Sequence, residues 1–112
     1  RAVTADRPLS PLKVLDLAAR MLEAHGFAIV ARNERGDSLY LRRPDCAWHL
    51  RVSNHARTAK QRARRSDVLA SLVIDGPRSP DQIGKLVRDA VRNFEAARAR
   101  VADQASAAGS RK

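Results

Sequence analysis

A single cysteine, Cys46, in 112 residues leaves no internal disulfide and agrees with a reducing, cytoplasmic setting. No run approaches the ~20 apolar residues of a membrane-spanning helix, and no signal-peptide pattern opens the chain, so no membrane role is expected. A glycine-rich phosphate cradle, a G-x-S-x-G elbow and an H-E-x-x-H helix are all missing. Asp37, Asp45, Asp67 and Asp75 are too scattered to supply the acid cluster of a metal-dependent nuclease. These absences point away from an enzyme and toward a chain that needs no cofactor. Cys46, His49 and His55 stand at C-x2-H-x5-H spacing, half of a zinc pattern. A structural site needs four ligands, and His25 or Asp45 would have to complete it, so no metal is expected.

Positive charge, by contrast, is abundant. The formal net charge is +10 and the pI about 11.3, values that favour phosphate polymers or acidic surfaces as partners. Arginine rather than lysine carries it, and the planar guanidinium fork suits phosphate oxygens and base edges. The charge is also concentrated. Between Arg42 and Arg65 stand Arg42, Arg43, Arg51, Arg57, Lys60, Arg62, Arg64 and Arg65 against the single acid Asp45.

A hydrophobic fraction of 44% in a chain this short supports one core, burying roughly 65% of the unfolded surface. Residues 1–9 lack periodicity and read as a flexible leader. Ser10 and Pro11 then mark a helix start, Leu12, Leu15, Ala19 and Leu22 form its stripe, and Gly26 ends it. Beyond Gly26 the period changes from 3.6 to 2. Strands are expected over 27–32, 38–43 and 47–53, with Leu39, Leu41, Trp48, Leu50 and Val52 on one face and Arg32, Tyr40, Arg42, His49 and Arg51 on the other.

The next stretch, 54–67, is too long for a hairpin turn. Its RTAKQRARR segment has no apolar residue larger than alanine, which predicts a solvated basic loop. DVLASLVID, at 67–75, is apolar on both faces and reads as a fourth strand. Ser79, Pro80, Asp81 and Gln82 spell a capping box, and Ile83, Val87, Ala90, Val91, Phe94, Ala97 and Val101 extend the helix it opens. Lys85, Arg88 and Arg92 form a basic row along that helix, Gly84 within it suggests close approach to the sheet, and residues 102–112 read as a disordered tail.

The expectation is therefore a single α+β domain over residues 10–101, in the order α-β-β-β-β-α, with an antiparallel sheet and both helices on one face. The exposed face and the basic loop suggest a non-enzymatic domain that binds DNA or RNA. Arg42, Arg43, Arg51 and the basic residues of 57–65 would meet phosphates, Lys85, Arg88 and Arg92 would extend the surface, and Tyr40 and His49 would stack on or read bases. The alternative is a small regulator or inhibitor docking on an acidic protein partner, with strand 68–74 available for a homodimer.

Overall fold

A computed structural model describes residues 9–44 and 46–110. The leader expected over 1–9 lies outside them except for Leu9, whose amide donates to the Arg78 carbonyl at 2.8 Å. The order is α1 (Pro11–Glu23), β1 (Ala28–Arg32), β2 (Ser38–Arg42), β3 (His49–Ser53), α2 (Ala59–Arg64), β4 (Val68–Val73) and α3 (Pro80–Ser110). α3 thus runs past Val101, where its apolar stripe ends.

Local chemistry accounts for most boundaries. Ser10 takes the N-cap position of α1 without a side-chain cap, and its carbonyl accepts from the Val14 amide at 2.9 Å. At the other end Gly26 has φ +89°, which lets the Phe27 amide turn back to the Leu22 carbonyl at 3.1 Å. The box at the start of α3 closes in both directions: the Ser79 amide donates to Gln82 Oε1 at 2.9 Å, and the Gln82 amide to Ser79 Oγ at 3.3 Å.

The sheet order is β1-β2-β3-β4. β1, β2 and β3 form the expected antiparallel meander, with Leu39 opposite Val52 and Leu41 opposite Leu50. The sheet as a whole is mixed, because β4 runs parallel to β3. Reaching a parallel neighbour requires the chain to return along the length of the sheet, and residues 54–67 do so. They also hold a helix where a loop was expected. Thr58 Oγ1 accepts from the Gln61 amide at 3.2 Å and Gln61 Oε1 from the Thr58 amide at 2.9 Å, a second capping box. α2 buries no side chain.

The core lies between the Leu39, Leu41, Leu50 and Val52 face of the sheet and the apolar sides of α1 and α3. α1 packs on α3, β1 and β3, and α3 packs on β4. The two long helices therefore share one face, as expected. At the centre, Phe27 and Phe94 meet edge to face with ring centroids 5.1 Å apart. Arg43 lies over the outer side of Phe27 at 4.7 Å and donates to the His25 carbonyl and Glu95. Leu69 and Val73, candidates for a dimer contact, are half-buried within the single chain.

Gly84 approaches α1 rather than the sheet: a Cβ there would lie 3.9 Å from Met21 Cε and 3.5 Å from Arg88 Nη1. Both are ordinary contacts with flexible side chains. Gly84→Ala should consequently stabilise the fold by ~0.5–1 kcal/mol through helix propensity, measured as a raised denaturation midpoint in urea.

Candidate anion-binding cavity

Strand alternation sends Ser38, Tyr40, Arg51, Ser53 and Ser71 to the face away from α1 and α3. Cross-strand pairing then sets Tyr40 beside Arg51 and Arg51 beside Ser71 across three neighbouring strands. On an uncovered sheet this arginine would sit in water. The crossover from β3 to β4 passes over this face instead, and Arg51 is 1% exposed.

The buried guanidinium is held by neutral groups. Nη1 donates to Ser71 Oγ at 3.0 Å, and Nη2 to the His55 carbonyl at 2.9 Å and to Ser38 Oγ at 3.4 Å. Nε has no partner among the described residues, and no carboxylate there forms an ion pair with Arg51. Burial pushes its pKa below the ordinary arginine value. Tyr40 and, more weakly, the Asp37 carboxylate oppose that shift, and Arg57 adds to it.

A cavity of about 250 Å³ opens beside this group. Its walls are Asn33, Ser38 and Tyr40 from the meander, Arg51 from β3, and His55, Arg57, Gln61, Arg64 and Arg65 from the crossover. Among the described residues four guanidinium groups and no carboxylate line it. Arg57 Nη1 is a second buried donor without a partner among the described residues. Arg65 stacks on Tyr40, its guanidinium carbon 3.9 Å from the ring centroid, and is braced by Asp67 at 3.5 Å. A more open groove of about 520 Å³ adjoins the cavity, sharing Asn33, His55, Gln61 and Arg64 and adding Glu34 and Arg35.

The far wall is held by the turn between β1 and β2. Gly36 adopts φ +74° there, and the Asn33 side chain bridges the Asp37 carboxylate and the Ser38 amide. The Asn33 amide group holds Asp37 below the ordinary carboxylate range, with His55, 3.5 Å away, acting in the same direction. Ser53 Oγ donates to the Asp37 carbonyl at 2.9 Å, which ties the turn to the start of the crossover.

The structure divides the residues singled out from sequence. Tyr40, Arg51, Arg57, Arg64 and Arg65 converge on the cavity. Lys60 and Arg62 are exposed on α2 outside its walls. Arg42 is exposed and bonded to the Cys46 carbonyl, whereas Arg43 serves the core as described. His49 Nδ1 lies 3.0 Å from Asp67 Oδ2 and does not line the cavity. Lys85, Arg88 and Arg92 project from α3, on the helical side, and Arg92 pairs with Asp89.

Among the described residues no three His, Cys, Asp or Glu side chains gather as a metal site, and Asp45 lies outside those residues. Cys46 is buried in the core. No described helix is long and apolar enough to cross a membrane. Sequence reasoning missed Ser38, Ser71, Asn33 and Gln61 as parts of the site. The T-x-x-Q pattern of Thr58–Gln61 was the signal that could have placed the last of these. Compared with known proteins, the chain matches no family model, no curated protein and no solved structure.

Proposed function

We propose that this chain is a non-enzymatic nucleic-acid-binding domain that grips the phosphate backbone with its β3–α2–β4 face. One observation carries the proposal: a cavity walled by four arginines and, among the described residues, no carboxylate, beside the solvent-exposed basic residues of α2. Guanidinium groups held this close repel one another, and a polyanion relieves that repulsion while releasing its own counterions. Tyr40 supplies an aromatic element beside the phosphate-binding groups.

Titration of single- and double-stranded DNA and RNA of equal length, at several salt concentrations, tests this. Lys60, Arg62 and Arg64 are exposed and Arg57 is half-buried at the cavity. If each neutralises one phosphate, log affinity for duplex DNA should fall against log salt with a slope of roughly −3 to −4. Replacing Lys60, Arg62 and Arg64 together with Glu should remove binding with little change in melting temperature, because α2 buries nothing. A flat salt response would sink the proposal. Polyglutamate bound as tightly as nucleic acid would favour an acidic protein partner instead.

A further inference from the structure

We propose that the cavity captures a terminal phosphate monoester of a nucleic-acid strand, so that the domain recognises a strand end. This rests on the nucleic-acid reading above and narrows it. The floor of the cavity is Arg51, 1% exposed, with an unpartnered Nε and only neutral hydrogen-bond acceptors around its other nitrogens. Asp37 acts on this guanidinium only at a distance, and no carboxylate among the described residues touches it. A buried cation without a direct ionic partner is costly, and an arriving anion supplies one. Arg57 Nη1 offers a second buried donor without a partner in the same walls.

Charge and size favour a chain end over an internal linkage. A phosphate monoester carries about −1.5 to −2 charges near neutral pH and presents three acceptor oxygens. An internal diester carries one charge and has two of its oxygens esterified, so it offers less charge and fewer acceptors to the buried guanidinium groups. At about 250 Å³ the cavity falls below the usual ~300–1,000 Å³ of sites for drug-sized ligands, which suits one phosphate with part of its nucleoside. The adjoining groove, entered past His55 and Arg64 and flanked by Glu34 and Arg35, gives the following nucleotides a way out.

The test uses the full chain and one short single-stranded oligonucleotide sequence in three forms, carrying a 5′-phosphate, a 3′-phosphate or hydroxyls at both ends, followed by fluorescence anisotropy at fixed salt. One phosphorylated form should bind at least tenfold more tightly than the hydroxyl form. Arg51→Met should erase that ratio, and Arg57→Gln should reduce it should the Arg51 variant fail to fold. Lys60→Glu with Arg62→Glu, outside the cavity walls, should weaken all three forms while preserving the ratio. Equal affinities for the three forms, or a preference that survives in both cavity variants, would overturn end recognition while leaving general binding intact. Absence of binding to every form at low salt would remove the underlying function as well. A phosphoserine peptide bound as tightly as the phosphorylated oligonucleotide would overturn the assignment to a nucleic-acid end.

Discussion

Phe94→Ala is expected to remove much of the stability of this domain. Phe94 is fully buried and packs edge to face with Phe27, so truncation deletes both the apolar burial of a ring and an aromatic pair at the centre of the core. A cost of ~3–5 kcal/mol follows, a large share of the ~5–15 kcal/mol that holds an ordinary domain together. Thermal unfolding followed by circular dichroism should show a midpoint lower by roughly 12–20 °C. The effect should extend to Arg43, whose guanidinium lies over the Phe27 ring. A midpoint shift of only a few degrees would mean that Phe94 does not occupy the centre of the core.

Arg51 should behave differently, because its stem and its charge act in opposite directions. Arg51→Ala removes a buried side chain that links β2, β4 and the start of the crossover, and a loss of ~2–4 kcal/mol is expected from the cavity and the orphaned acceptors. Arg51→Met restores most of the volume without the uncompensated charge. It leaves the same acceptors unpaired, so it should recover only the packing share of the loss, about 1–2 kcal/mol. Urea denaturation of the three proteins side by side measures this. Equal destabilisation by Ala and Met would show that the charge itself holds the three strands together.

The parts of the fold governed by local chemistry were legible in the sequence. The change of period at Gly26, the alternation of Leu39, Leu41, Leu50 and Val52, and the box at Ser79 each act over a few residues, and the corresponding elements form. The direction of β4 depended on topology. Its two-sided apolar pattern is common to parallel strands, and the length of 54–67 is what a parallel crossover needs, yet each feature alone is compatible with other arrangements. α2 has no apolar stripe to mark it in the sequence; its capping box at Thr58 and Gln61 is the local interaction that closes its first turn. Alternation correctly assigned Arg51 to the second face of the sheet. Its burial could not be read locally, because the segment that covers it begins beyond the end of its strand.

The parallel pairing of β4 with β3 also orders events in time. α1 and the three-strand meander are joined by short connections and can form through contacts close in sequence. The β3–β4 ladder requires a longer loop to close before any of its hydrogen bonds are gained, and such non-local pairing is slow. Arg51 reaches Ser71, and the cavity acquires its crossover wall, only when that last strand docks. Assembly of the arginine cavity is therefore coupled to the docking of β4, and a nascent chain carries its basic segment before it possesses the cavity that segment completes.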